Sequence, residues 1–296
     1  MTEAKVSRER LGHVAVLTLD GPPVNAFSLA MREALYEALQ WAAGDEAVQA
    51  VVLAGAGRGF SAGGDIREFG TPRASELPGL SSHIHVAIER MPKPVIAVLQ
   101  GFALGGGLET LLACHYRVAE HNAVLGLPEV GLGTLPLSAT QRLPRVLGIA
   151  AAVRLMLDGQ RQTASAFTGT ALFDRVVPPG QGLATACAWA AELAASAPSD
   201  QQLQQLLVRH RPIQAAQPQQ ALAEARQYVN GRTDAASQAL LQAVEAAVNS
   251  PDFDAGMDRA RALYDQLMAG PAILQGRERF LATGSGQSAQ ADPNAS

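Results

Sequence analysis

The feature that most constrains this chain is an apolar run that ends first in glycines and then in a carboxylate. Residues 95–99 (Val-Ile-Ala-Val-Leu) lead through Gly101, Phe102, Ala103 and Leu104 to Gly105-Gly106-Gly107, Leu108 and Glu109. A short apolar run bounded by turn signals reads as a strand buried on both faces. The glycines then open a helix expected over 108–114. N–H groups at a helix start have no partner within the helix and lie at the positive end of its dipole, so bare backbone there suits an anion or an enolate oxygen. Close helix packing is the plainer explanation, but it rarely needs three glycines in a row.

Strands and helices alternate through the N-terminal part. Further strands are expected at 13–19, 48–54, 116–119 and 124–125. Ser28 is placed to cap a helix over 29–43 that Gly44 ends, and Pro92 and Pro94 stop a helix over 80–91. From about residue 138 the periodicity is mostly helical, at 138–147, 149–157, 182–196, 199–209, 218–229, 234–248 and 254–269, with one short strand at 175–177. The division expected is an α/β core over 1–200, a C-terminal helical region over 201–283, and a tail over 284–296. The tail's Gly, Ser, Gln, Ala and Asn composition predicts disorder.

The 296 residues suffice for a large core. A net charge of -4 and a pI near 5.9 argue against a nucleic-acid partner. Cys114 and Cys187 are too few for a disulfide framework and read as free thiols of a reducing compartment. The charged start lacks the pattern of a secretory signal, and no run approaches the ~18 apolar residues of a membrane span. A soluble cytoplasmic protein is expected.

Two other segments could join the glycine triplet in a site. Ser61-Ala62-Gly63-Gly64-Asp65-Ile66 follows the 48–54 strand, and a free N–H at Gly64 could meet a developing oxyanion. Leu127-Pro128-Glu129-Val130-Gly131 sets a second carboxylate in an apolar stretch. Taken singly, Glu109 reads as a helix-dipole partner and Glu129 as a solvated loop residue. Together, two glycine turns and two carboxylates supply what enolate stabilisation and addition or removal of water require. Gly55-Ala56-Gly57-Arg58-Gly59-Phe60 puts Phe where a dinucleotide fingerprint needs its third Gly. His83 and His85 diverge on a helix and have no ligand cluster, so no metal is expected. Ser61 lacks a nucleophile elbow.

In order along the chain, Pro23-Val24-Asn25-Ala26, Gly59-Phe60-Ser61-Ala62-Gly63-Gly64-Asp65-Ile66, Lys93-Pro94-Val95-Ile96-Ala97, the 101–109 segment, the 127–133 segment and Thr140-Gln141-Arg142-Leu143-Pro144 resemble the enoyl-CoA hydratase/isomerase (crotonase) superfamily. The likeness covers about residues 6–200. Gly107-Leu108-Glu109 followed by Cys114-His115-Tyr116-Arg117-Val118 is similar to the hydratase half of fused hydratase/3-hydroxyacyl-CoA dehydrogenases, and the helices to Phe280 resemble that half more weakly.

The resemblance implies a crotonase-like spiral of ββα units with a C-terminal helical region, often assembled as a homotrimer or hexamer. It implies an acyl-CoA thioester whose carbonyl oxygen takes the Gly64 and Gly106 N–H groups, with Glu109 and Glu129 as the acid/base pair. Ala26, Ala62, Gly63, Asp65 and Ile66 fall where the family holds the adenine end of coenzyme A. Coenzyme A belongs to the substrate, so no cofactor is expected. The chain departs from the family at Leu137-Ser138-Ala139, one residue shorter than the usual glycine-bearing run. Leu137 stands where a glycine N–H helps to orient water. The activity expected is hydration of a 2-enoyl-CoA to a 3-hydroxyacyl-CoA. The alternatives are a Δ3-Δ2-enoyl-CoA isomerase and a catalytically idle binding or scaffold relative.

Overall fold

A computed structural model describes residues 4–282, so the expected disorder of the 284–296 tail lies outside the described residues. The chain opens with β1 (Lys5–Leu11) and β2 (Val14–Asp20), then α1 (Leu29–Gly44) and β3 (Ala50–Gly55). Next come α2 (His85–Glu89), β4 (Val95–Leu99), β5 (Phe102–Leu104), α3 (Gly106–Ala113), β6 (Tyr116–Glu120) and β7 (Val124–Gly126). There follow α4 (Ala139–Arg142), α5 (Ile149–Asp158), β8 (Gln162–Thr163), β9 (Arg175–Val177) and α6 (Gly182–Ser196). The C-terminal helices are α7 (Asp200–Leu206), α8 (Pro218–Val229), α9 (Ala235–Asn249), α10 (Phe253–Met268) and α11 (Pro271–Ala282).

One sheet runs β1-β2-β3-β4-β6-β9, antiparallel at β1-β2 and parallel elsewhere. A smaller sheet runs β5-β7-β8, and single bridges at Phe27–Gly64 and Ser61–Ala103 extend its rungs. Successive turns of chain therefore place one strand in the large sheet and a second, shorter pairing in the small one. The spiral expected from the family is the architecture found.

Each inner strand is buried on both faces, and all five residues of β4 are buried. The helices α1 and α3 pack on one face of the large sheet, where Leu17, Leu53 and Leu99 join Leu35, Leu39, Leu108 and Leu111 in a single core. On the other face Val16, Val52, Ile96 and Val118 meet Ala186 and Ala190 of α6. The C-terminal helices share the first core through Leu240, Val244, Leu263 and Leu267.

Several elements differ from the sequence expectation. β1 is a strand made mostly of exposed residues, Lys-Val-Ser-Arg-Glu-Arg-Leu, so it lacks the apolar signal; its charges protect the sheet edge. The expected helix over 80–91 is a π-helical turn, Leu80–Ile84, followed by the short α2. The expected 138–147 helix is α4 followed by a 3₁₀ turn, Leu143–Arg145. The expected 199–209 helix is α7 followed by the 3₁₀ turn Val208–His210. Periodicity also stops short of α11, whose first residue is proline, as suits a helix start. Ser28 does cap α1, accepting from the Met31 N–H at 3.3 Å.

Asn25 ties the turn after β2 to the turn after β3. Its backbone is left-handed (φ 50), which Asn tolerates better than most residues. Its Oδ1 accepts from Gly21 N at 2.9 Å, and its Nδ2 donates to the carbonyls of Ala56 and Gly59, both at 2.9 Å. Asn25→Ala leaves buried main-chain groups without partners and should cost about 2–4 kcal/mol. Urea unfolding checks this, and a loss below ~1 kcal/mol would contradict it.

Candidate active site

The two glycine turns meet at the mouth of α3. Gly63 has φ +90, and a Cβ there would stand 2.6 Å from the Leu104 carbonyl oxygen and 3.0 Å from the Gly106 nitrogen. Gly105 has φ +52, and a Cβ there would come within 2.5 Å of Glu129 Oε1. Both positions therefore demand glycine on conformation and on space. A Cβ on Gly106 would lie 3.6 Å from the Gly64 nitrogen, which makes the two N–H groups neighbours. Neither N–H donates to an acceptor among the described residues.

A cavity of about 680 Å³ opens in front of them. Gly64, Asp65, Gly106, Glu109, Glu129 and Leu137 all line it. Six of the residues singled out from sequence are thus brought to one space. Ala26, Ala62, Gly63 and Ile66 are not among the described residues that line it. They lie in the two segments that frame the Gly64 turn: Phe27 N donates to Gly63 O at 2.8 Å, and Ala62 N donates to Val24 O at 2.9 Å. Ile66 begins the 3₁₀ turn Ile66–Glu68, capped by Asp65, whose carboxylate also pairs with Arg67 at 2.7 Å.

Glu109 sits in the first turn of α3 and is 7% exposed. Its Oε1 accepts two main-chain N–H bonds, from Ser138 at 2.6 Å and Ala139 at 2.9 Å. The shortened loop after Pro136 supplies both donors. Burial raises the affinity of Glu109 for a proton, and the Ala139 and Ser138 donors oppose that rise. Glu129 opens the 3₁₀ turn Glu129–Leu132, and its buried Oε2 has no hydrogen-bond partner among the described residues. Burial first, and the Glu109 charge second, hold Glu129 well above the ordinary carboxylate range. Both carboxyls therefore sit above the ordinary carboxylate range, Glu129 further than Glu109, so Glu129 holds a proton more firmly and Glu109 gives one up more readily.

This bias has a sign in stability. A carboxyl with a raised folded value keeps its proton to higher pH in the folded state than in the unfolded one. The fold therefore loses stability as pH rises from the ordinary Glu value, about 4.3, through the raised one. Glu129→Gln cannot ionise, so it should melt higher than wild type at alkaline pH, with the gain vanishing below pH ~4. Melting curves at both ends of the range check this; an equal difference at both would assign the effect to packing instead of charge.

The far wall comes from α10. Arg261, Tyr264, Asp265 and Met268 line the cavity at i, i+3, i+4 and i+7 spacing. That spacing, visible in the sequence, shows a shared face, but its mixed polar character did not distinguish the cavity side from solvent. Arg261 donates to Ser81 Oγ and lies 5.5 Å from the Tyr264 ring centroid. Burial, then the Glu109 charge, pushes the Tyr264 phenol up to about 12, so it stays protonated as a donor. α11 packs on the turn that carries Glu129 and on Ile66–Glu68.

A spiral of strand, short strand and helix thus brings two backbone donors and two carboxyls to one cavity. The chain belongs to the enoyl-CoA hydratase/isomerase family, whose match spans residues 9–254. It is 38% identical over 261 residues to the human peroxisomal bifunctional enzyme, covering 86% of this chain but 35% of that enzyme. It is 45% identical over 152 residues to a probable enoyl-CoA hydratase of Bacillus subtilis, covering 50% of this chain and 59% of that protein. The chain thus spans only part of the length of these relatives. Among solved structures, an enoyl-CoA hydratase from Mycobacterium avium subsp. paratuberculosis shares the fold at a TM-score of 0.69 and 22% identity, covering 95% of this chain and 97% of that one. Pseudomonas aeruginosa DspI matches at a TM-score of 0.63 and 30% identity, covering 76% and 93%. Among the described residues no helix is long and apolar enough to cross a membrane.

Proposed function

We propose that the chain hydrates 2-enoyl-CoA thioesters to 3-hydroxyacyl-CoA. The observation that carries this reading is the cavity shared by two unpartnered glycine N–H groups and two carboxyls that differ in how firmly they hold a proton, Glu129 more than Glu109. The thioester carbonyl oxygen accepts from Gly64 and Gly106, whose donors are already aimed where enolate charge develops. Ionised Glu109 takes a proton from water as the hydroxide oxygen bonds to C3. The C2–C3 π electrons move toward the thioester oxygen. Protonated Glu129 then delivers its proton to C2, and proton exchange between the two carboxyls restores the starting state. Electrons and atoms balance as the addition of one water, and no redox group or metal takes part.

Moving a double bond from C3 to C2 requires only one carboxyl as a shuttle. The retention of two carboxyls favours hydration over the isomerase reading, and the packed site disfavours an idle scaffold. The test compares water addition to crotonyl-CoA and a longer 2-enoyl-CoA with double-bond migration in a 3-enoyl-CoA, on one preparation. Hydration should dominate. A ratio strongly favouring migration would remove the hydratase assignment and leave the thioester site standing. We further propose a cytoplasmic protein, as its free thiols suggest, assembled as a homotrimer or hexamer, as its family resemblance suggests. Light scattering that found a stable species at the 30.9 kDa chain mass would exclude that assembly.

A further inference from the structure

Beneath Glu109 lies a buried histidine that the proposed chemistry does not use. His85 is 0% exposed at the start of α2. Its Nε2 is 3.2 Å from Thr110 Oγ1, and its Nδ1 is 3.4 Å from Ser138 Oγ. Thr110 follows Glu109 on α3, and Ser138 is one of the two residues whose N–H groups hold Glu109. The imidazole thus spans the gap between the helix that carries the carboxylate and the loop that grips it.

The direction of these bonds follows from counting protons. The Thr110 hydroxyl hydrogen is committed to the Gly106 carbonyl, 2.7 Å away, so Thr110 Oγ1 can only accept from the ring. Nε2 therefore carries the ring proton. Nδ1 is left as an acceptor for the Ser138 hydroxyl, which lies between it and the Glu109 carboxylate. Burial holds the ring far below its ordinary value, and the charges of Arg142 on α4 and Arg261 on α10 add to this. The nearest carboxylate on its own helix, Glu89, is taken up by Arg142 at 2.5 Å and Arg209 at 3.0 Å. No acid among the described residues pairs with the imidazole.

We propose that His85 is a positioning residue: as the Nε2–H tautomer it anchors the Ser138 side chain to Thr110, which keeps the Ser138 and Ala139 N–H groups trained on Glu109 Oε1. The shortened loop of Leu137-Ser138-Ala139 has no glycine to fix its path, and His85 supplies the restraint from below. Removing the acceptor lets the loop relax, the two N–H bonds lengthen, and Glu109 takes up a proton more readily. The proposal rests on Glu109 being the base, but its first consequence is measurable without turnover.

Nitrogen-15 spectra of the ring should show the neutral Nε2–H tautomer at neutral pH. An Nδ1–H ring or an imidazolium would overturn the proposal, because neither leaves an acceptor on the ring for the Ser138 hydroxyl. Carbon-13 titration of the Glu109 carboxyl should move to higher pH in His85→Phe and in Ser138→Ala. It should return close to wild type in His85→Asn, whose Oδ1 can take the place of Nδ1. In kinetics, His85→Phe and Ser138→Ala should each lower kcat for crotonyl-CoA on the order of 10-fold with KM within about twofold, since small misplacements of a reacting group are costly. The acid limb of the kcat profile should move upward with the carboxyl titration. The double variant should be no worse than either single one, as expected of two residues acting through one contact. An unmoved Glu109 titration in folded His85→Phe, or additive losses in the double variant, would overturn the proposal. A wild-type protein that fails to hydrate any enoyl-CoA while the ring and carboxyl titrations behave as stated would instead remove the hydratase reading alone.

Discussion

Glu109→Gln and Glu129→Gln are each expected to lower kcat for enoyl-CoA hydration by about 10²–10⁴-fold, the usual worth of a positioned acid or base. Binding of a saturated acyl-CoA should change little. At position 109 the amide oxygen of Gln can still accept from Ser138 and Ala139, so the loop keeps its place and only the charge is lost. At position 129 an amide occupies the same volume beside Gly105 but has no proton to give to carbon. The losses should therefore fall on kcat and leave KM nearly unchanged. Calorimetric titration of the ligand beside steady-state rates checks the split. A variant that kept near wild-type kcat would show that its carboxyl takes no part.

Gly106→Pro is expected to slow turnover by roughly 10²–10³-fold, the loss seen when one oxyanion donor is removed. Gly106 is the first residue of α3, where proline is tolerated because that N–H has no helical partner in any case. The substitution thus deletes the donor and spares the helix. Leu80 must move aside, since a Cβ on Gly106 would lie 2.6 Å from its Cδ2. Circular dichroism and a melting curve should match wild type while the rate falls. Full activity in a folded variant would place the thioester oxygen elsewhere.

What could be read from the sequence follows from where each residue's signal resides. β4 was legible because burial on both faces makes its code continuous and apolar, and α1 because Ser28 and Gly44 mark its two ends. β1 was not, since an edge strand protected by Arg and Glu looks like a solvated tail. The Leu80–Ile84 turn was hidden because helical periodicity does not distinguish i→i+4 from i→i+5 winding. At the site, Gly64, Gly106, Glu109 and Glu129 stood out as glycine turns and carboxylates in apolar surroundings. Tyr264 and Arg261 did not, because only tertiary packing brings α10 across the cavity. In the sequence His85 reads only as one half of a diverging pair with His83. Its partners, Thr110 and Ser138, are 25 and 53 residues away in sequence, and no local pattern joins them.

The meeting of the Gly63–Gly64 and Gly105–Gly106 turns has a consequence for how such a site can change. On the proposed reading its anion-holding half is written in main chain, and its proton-moving half in side chains. Substitution can alter, move or delete the carboxyls one at a time without touching the donors, because the donors have no side chains to lose. The donors in turn can hardly be tuned, since a Cβ at Gly63 or Gly105 collides with Leu104 or Glu129. The two halves are free to diverge at different rates. On the proposed reading, a chain stripped of both carboxyls would still hold a thioester enolate on its main-chain donors, open to a different proton donor, a different electrophile or none.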